Sequence, residues 1–180
     1  MKATKIGNKG KLVPIDNCYI VIPSGSKEKK IIFNNLPDIS DTKSATYADE
    51  TVIGRGSPLK TYSQSDNRAI NVTIHFVALD KDDLDENLKS LRAIQSAVYP
   101  REGEGGAPFI PPPVCKLKCG QLLSDSEDLC VLLKSYSVKF PTDTSWNSDS
   151  YIPYKFDVDT SWEVVYSSAD LPGQEKIFSL

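Results

Sequence analysis

Residues 68–99 switch from a two-residue repeat to a helical repeat within a few positions, and this switch constrains the fold most. In RAINVTIHFV, apolar side chains alternate with polar ones, as in a strand with one buried and one solvent face: Ile70, Val72, Ile74 and Phe76 against Asn71, Thr73 and His75. The next segment has apolar residues at helical spacing: Leu84, Leu88, Leu91, Ile94 and Val98. Asp80 suits the helix N-cap and Pro100 stops the helix. We therefore expect a strand from Arg68 to Val77 and a helix from Lys81 to Tyr99.

Other short apolar runs indicate further strands on both sides of this pair. CYIVI (Cys18–Ile22) and KKIIF (Lys29–Phe33) predict a hairpin with a polar tip. The last third contributes three more alternating segments: VCKLKCGQLL, DLCVLLKSYSVKF and YKFDVDTSWEVVY. The polar stretch from Asn34 to Thr51 is either a loop or an edge segment that orders only against a partner.

This order of elements, strands then one helix then strands, has too few crossovers for a doubly wound parallel sheet. We expect an α+β fold, a mostly antiparallel β-sandwich or open barrel closed by one helix. Residues 1–180 would form a single domain, with residues 167–180 as an extended C-terminal arm.

Composition and charge exclude several classes of function. The net charge is −3. Sequence-independent binding of nucleic acid needs clustered Lys and Arg, so this acidic balance argues against it. No apolar run is long enough to span a membrane, and the basic start MKATKIGNKGKLVP lacks the apolar core of a secretory leader. We expect synthesis in the cytoplasm and no membrane partner.

The cysteines allow two interpretations. The spacing of Cys115 and Cys119 is tolerable for zinc, and a metal-binding module remains one alternative. However, VCKLKC alternates as a strand and places both thiols with Leu117 on one face. We expect reduced core thiols, no bound metal and no cofactor.

No residue pattern singles out a catalytic site. His75 is the only histidine, and it lies on the polar face of its strand without a cysteine nearby in the sequence to act as nucleophile. Serine and aspartate are abundant enough for a Ser-His-Asp arrangement, but nothing singles one out. Carboxylate pairs such as Asp157 and Asp159 lie on a solvated face and lack the burial that raises a catalytic pKa. We expect no enzyme activity; a small cytosolic hydrolase or carbohydrate-binding β-domain that uses Trp146 and the carboxylates is the alternative.

Two segments together carry a resemblance to a known family. IGRGSPLKTYSQSDNRAINVTIHFVALD precedes the helix, and CVLLKSYSVKFPTDTSWNSDSYIPYKFDVDTSWEVVY follows the Pro/Gly loop. This order, over about Ile31 to Tyr166, resembles the tube-like proteins of contractile phage tails and related injection systems. The residues that match are Gly54, Arg55, Ser57, Pro58, Arg68, Ile70, Val72, Ile74, Phe76, Tyr136, Val138, Phe140, Pro153, Phe156, Val158 and Val164.

The resemblance implies a structural virion protein. It implies self-association into a ring, hexameric in this family, at the junction of tail tube and baseplate. The implied partners are tail tube subunits and baseplate hub or wedge proteins, with assembly in the cytoplasm of the host bacterium. Some tube initiators and hub adaptors carry a LysM module, and we expect none in residues 1–180. A main tail tube subunit is the alternative.

The resemblance also assigns roles to individual residues. The subunit interface would include Gly54, Arg55, Ser57, Pro58 and Arg68. The polar segment from Ala48 to Gln64 would become ordered by docking on the next subunit. Arg55 would make bidentate bonds to a neighbour's carboxylate or carbonyls.

A second set of residues is expected to face the ring's channel. This set is Asp157, Asp159 and Glu163, which share one strand face with a single lysine, Lys155. DNA would pass such a mildly acidic wall without specific binding.

Overall fold

The computed structural model describes residues 15–24, 27–51, 53–100, 110–124 and 128–165. They form nine strands and one helix: β1 (Cys18–Ser24), β2 (Lys27–Ile32), β3 (Asp38–Thr42), β4 (Ala45–Glu50), β5 (Leu59–Ser65), β6 (Ala69–Val77), α1 (Lys81–Ser96), β7 (Cys115–Cys119), β8 (Leu129–Lys139) and β9 (Lys155–Val164). The expected C-terminal arm, residues 167–180, lies outside the described residues.

Seven strands form one antiparallel sheet in the order β2-β1-β7-β8-β9-β6-β3. All of its strand pairs are antiparallel. The sheet is strongly curled. Strands β2 and β6 are separated by four strands in the sheet order, yet both line the same groove beside α1. No ladder joins β2 to β6 in the described part of the chain, so the barrel is not closed. The α+β prediction is confirmed, with an open curled sheet as the architecture.

The core lies between this sheet and α1. The alternation of β6 and β9 buries one face of each strand, with Trp162 and Phe156 among the largest fully buried side chains. Helix α1 adds Leu91, Ile94 and Ala97 to the same cluster. The face of the sheet opposite α1 carries polar side chains and is called the polar face below.

The helix begins where its sequence predicts. The Asp80 carboxylate caps it by accepting a hydrogen bond from the Asp83 backbone N–H at 2.9 Å. It ends at Ser96, three residues before the expected Tyr99, and Ala97–Tyr99 complete it as a turn. Asn87 is buried although polar, because its side-chain amide donates to the Val77 carbonyl at the end of β6. Helix α1 is too short and too polar to cross a membrane.

The polar stretch from Asn34 to Thr51 is more ordered than its composition suggested. It contains β3, which pairs with β6, and β4, which pairs with β5 in a separate two-stranded sheet. The segment Ala48–Gln64, which we expected to become ordered by docking on another subunit, already has strand pairing within the chain; its docking stays a prediction. This segment pairs mostly with itself and with the residues just before it, because Tyr47 and Tyr62 are register partners across a hairpin.

Candidate assembly surfaces

The hairpin formed by β4 and β5 is the part of the described chain most exposed to solvent. Every residue of both strands is exposed, and neither strand packs substantially against the seven-stranded sheet. Its foot is closed by Ser44 and Asp66, through a 2.9 Å backbone hydrogen bond and a 2.5 Å side-chain hydrogen bond. We call residues 45–65 the hairpin arm.

The hairpin arm is held together by the β4–β5 backbone ladder and by two side-chain contacts between the strands. The rings of Tyr47 and Tyr62 meet edge to face with centroids 5.8 Å apart, and the Lys60 ammonium lies 2.5 Å from the Asp49 carboxylate. The side chains of both ion-pair partners are at least half-exposed, and such pairs contribute little to the stability of a fold. An isolated two-stranded hairpin is only marginally stable in water, and the hairpin arm has no substantial packing on the seven-stranded sheet to add to its stability.

Four of the five expected interface residues lie together in the turn of the hairpin arm. They are Gly54, Arg55, Ser57 and Pro58, and all four are exposed. Gly54 has a φ of 89°, a conformation that glycine adopts without the steric cost of a side chain. The turn therefore presents Arg55 to solvent at the end of the arm. Its role in an interface stays a prediction.

Arg68, the fifth expected interface residue, lies elsewhere and has partners within the chain. Its Nε donates to both carboxylate oxygens of Asp41 at 2.9 Å, its Nη2 lies 2.5 Å from Asp41 Oδ2, and its Nη1 donates to the Leu123 carbonyl at 3.3 Å. The side chain is only 19% exposed. Arg68 therefore ties the start of β6 to β3 and to the residues after β7, a stabilising role that its sequence neighbours did not indicate.

Asp157, Asp159 and Glu163 lie side by side on the polar face, as the alternation of β9 predicts, and each has a partner. Asp159 accepts from Thr73 Oγ1 at 2.7 Å and lies 2.9 Å from Lys139 Nζ. Glu163 accepts from the Asn67 amide at 2.5 Å and lies 2.9 Å from Lys134 Nζ. The hydrogen bond from Lys139 is the main cause that lowers the Asp159 pKa, and the hydrogen bond from Asn67 is the main cause that lowers the Glu163 pKa.

These partners change the expected charge of the polar face. The sequence of β9 alone gives three carboxylates against Lys155, but the neighbouring strand β8 adds Lys134 and Lys139 to the same face. The polar face is therefore closer to electrical neutrality than the acidic wall that the sequence of β9 predicts. Whether this face lines a channel stays a prediction.

His75 lies between two carboxylates on the polar face. Its Nδ1 is 2.6 Å from Asp157 Oδ1 on β9, and its Nε2 is 3.3 Å from Asp38 Oδ2 on β3. The hydrogen bond to Asp157 is the main cause that raises the His75 pKa. Both ring nitrogens thus face carboxylates, whereas a general base for a serine or cysteine nucleophile needs one nitrogen facing the nucleophile.

Three cysteines are buried within the core. Cys115 and Cys119 share the buried face of β7 with Leu117, and Cys18 is the register partner of Cys119 on β1. Burial is the main cause that raises the pKa of the Cys119 thiol to about 12. In the ranges that the structure describes, no three His, Cys, Asp or Glu side chains form a group that could hold a metal ion.

A groove of about 300 Å³ lies between β2, β6 and α1. Its charged lining residues are Lys30, Asp83 and Glu86, and the Asn87 amide that also lines it already donates to Val77. Trp146, the residue expected for a carbohydrate site, is not among its lining residues.

Comparisons with known proteins find a structural likeness to solved chains but no sequence relative. No family model matches the sequence, and no curated protein matches it. A solved chain described as "Tail of empty GTA particle computed with helical refinement, C6 symmetry" is similar to this chain with a TM-score of 0.40 at 9% identity, covering 84% of this chain and 92% of that one. At this TM-score and identity the likeness carries no argument about function.

Proposed function

We propose that this chain is a structural subunit of a contractile phage tail or a related injection system, which forms a ring at the junction of tail tube and baseplate. The residues GRGSPLK, and the strand, helix and strand that follow them, carry the resemblance to this family and support the proposal. A main tail tube subunit is the alternative role, and both roles require the same self-association.

The hairpin arm is the observation that carries the proposal. An ordered arm whose described residues are all exposed, on a chain that has a core cluster of its own, has no evident use in an isolated monomer. It does have a use if it docks on another subunit, because docking would bury Tyr47, Tyr62 and Ile53, which are 55%, 56% and 105% exposed.

The outer edge of β3 gives a second route for association. β3 is the last strand of the sheet, and none of its side chains is buried. Edge strands present unpaired backbone groups that pair readily with another chain, and closure of a ring removes such edges. The adjacent polar face would then line the channel, and its near balance of charge would neither hold nor strongly repel DNA.

We also propose that the chain has no catalytic role. The pairing of His75 with two carboxylates leaves it without a nucleophile partner among the described residues. Turnover of peptide, ester or glycan substrates that His75→Ala abolishes would contradict this.

The direct test is the solution mass of the purified chain combined with negative-stain imaging. A ring predicts a mass that is a multiple of 19.9 kDa, and particles with a central channel. A monomer at every concentration, together with measurable affinity for a glycan, would favour the carbohydrate-binding alternative.

A further inference from the structure

The curled sheet has a gap beside helix α1, between strands β2 and β6. β2 is the outermost strand on one side of the sheet, and its described pairing is with β1. On the other side, the ladder of β3 ends at Asp38 and Thr73, so residues 74–77 of β6 continue without a strand on that edge in the described chain. The groove of about 300 Å³ lies in this gap. A slot between two strand edges is a place where an extended chain can add to a sheet.

The backbone of β2 presents hydrogen-bonding groups to the gap. The Phe33 N–H donates to the Cys18 carbonyl of β1 at 2.9 Å. Because the groups of successive residues in a strand point to opposite edges, those of Lys30 and Ile32 point away from β1 and toward the gap. Both residues line the groove, and neither has a ladder partner on this edge in the described part of the chain.

The backbone of β6 presents groups to the same gap from the opposite side. The Ala78 N–H donates to the Tyr154 carbonyl on the β9 side at 2.8 Å, so the groups of His75 and Val77 point to the other edge. The Asn87 side-chain amide of α1 reaches the Val77 carbonyl there at 3.1 Å. The backbone groups of His75 are left facing the groove without a ladder partner among the described residues.

Carboxylates of α1 lie along one end of the gap. Two of them line the groove, and the others lie beside Lys29 and Lys89 on the adjoining surface; together they are Asp82, Asp83, Asp85 and Glu86. Within the described part of the chain, none of these carboxylates forms an ion pair. Lys30 holds its ammonium 3.9 Å from the centroid of the Tyr19 ring on β1 instead. An occupant of the gap is therefore expected to bring positive charge.

The N-terminal segment, residues 1–14, lies outside the described residues and has the charge and the point of attachment that suit this gap. It contains no acidic residue and carries Lys2, Lys5, Lys9 and Lys11. It joins the described chain at Ile15, whose N–H donates at 2.9 Å to the carbonyl of Phe33, a residue that lines the groove. Residues 166–180 differ in both respects, because they leave from Val165 beside Cys130 and contain two acidic residues against one lysine.

We propose that residues 11–14 of the same chain lie in this gap as an extended strand, in the direction of β2 and opposite to β6. The stretch of β2 from Lys30 to Phe33 spans about 10 Å, and residues 11–14 span the same length when extended. With Pro14 beside Phe33, this places Lys11 at the end of the groove that carries Glu86. Val13 precedes a proline, which favours the extended conformation.

The added strand would close the open sheet within one chain. Its backbone would bond the free groups of β2 and β6, and its lysines would neutralise the carboxylates of α1. The inference concerns contacts inside a single copy and does not depend on the proposed self-association.

Hydrogen–deuterium exchange of the full-length chain tests this contact. Peptides covering residues 29–34 and 73–78 contain the amides that face the gap, and a peptide covering 156–164 reports on the intact core. We expect Lys11→Glu to speed exchange in both gap peptides about fivefold, because it replaces attraction to the α1 carboxylates by repulsion. Exchange in the core peptide is expected to stay unchanged.

A matched control and a charge swap make the test specific. Lys176→Glu introduces the same change of charge in the other terminal segment, and we expect it to leave both gap peptides unchanged. Lys11→Glu combined with Glu86→Lys restores the pairing of opposite charges, and we expect exchange to return toward that of the unmodified chain.

Three results would overturn the proposal: no effect of Lys11→Glu, an equal effect of Lys176→Glu, or no restoration by the charge swap. Protection of the gap peptides that increases with protein concentration would assign the gap to a second copy, and would overturn it as well. The proposed function is tested separately by the mass of the chain in solution, so either proposal can fail without the other.

Discussion

At the scale of single residues, partners from other strands decide what each polar side chain does. Arg55 and Arg68 lie in one polar segment of the sequence. Arg55 is exposed in a turn, whereas Arg68 donates hydrogen bonds to the Asp41 carboxylate. The sequence could not separate them, because Asp41 lies 27 residues before Arg68 and meets it only through the β3–β6 pairing.

The two arginines give a matched pair of variants. Arg68→Ala is expected to destabilise the fold by about 1 kcal/mol or somewhat more, since it removes a bidentate, largely covered ion pair. Arg55→Ala is expected to leave the melting temperature unchanged and to weaken assembly. Thermal unfolding and solution mass of both variants check this. Equal effects of the two substitutions on both measurements would show that the structure assigns their roles incorrectly.

His75 predicts a pH dependence of stability with a definite sign. Its pKa in the folded protein is raised above the ordinary value of 6.5, mainly by Asp157 and further by Asp38, with Asp159 and Lys139 also nearby on the polar face. A raised folded pKa contributes stability that is fully present below about pH 6.5 and is lost as the pH rises through the folded value. Urea unfolding at pH 6 and pH 8.5 should therefore show a loss of stability that His75→Gln reduces. An identical loss in the variant would exclude this contribution.

The cysteines predict a thiol count. Cys18, Cys115 and Cys119 are buried and the Cys119 thiol stays protonated at neutral pH, whereas Cys130 is exposed. A thiol reagent at pH 7.5 should modify one cysteine per native chain and all four after unfolding. Stoichiometric zinc in the purified protein, or rapid modification of Cys119, would contradict the assignment of these residues to the core.

At the scale of elements, the apolar repeat determines how well each could be predicted. β6, α1 and β9 have strong repeats of period two or 3.6, and their bounds agree with the structure to within three residues. β3, β4 and β5 have no buried face, so no apolar repeat marks them, and their pairing depends on cross-strand contacts such as Tyr47 with Tyr62. The charge of the polar face was misjudged for a related reason, since β8 and β9 contribute to it together.

The hairpin arm is expected to be separable from the fold. Ser44 and Asp66 already meet at its foot, so replacing residues 45–65 by Asn-Gly leaves β3 and β6 joined by a short turn. We expect the shortened chain to keep a cooperative unfolding transition within a few degrees of the full-length protein. Loss of cooperative unfolding would mean that the arm stabilises the core, although every residue of β4 and β5 is exposed.

At the scale of the whole molecule, a ring would turn the polar face toward the channel. Ser135 and Ser137 lie on this face, exposed and opposite Ser161 and Asp159. Ser135→Lys with Ser137→Lys breaks none of the ion pairs of the face and makes it positive. We expect intact particles that release DNA more slowly, because a positive wall holds phosphate. Unchanged release would place this face away from the channel.

The mass of the full-length chain measured beside that of the arm-deleted chain tests the central claim most directly. Native mass spectrometry at the same concentration is predicted to give a ring, with a mass that is a multiple of 19.9 kDa, for the full-length chain, and monomers or weakly associated species for the chain that lacks residues 45–65. Rings of equal stability from both chains would contradict the claim that the hairpin arm is an assembly element.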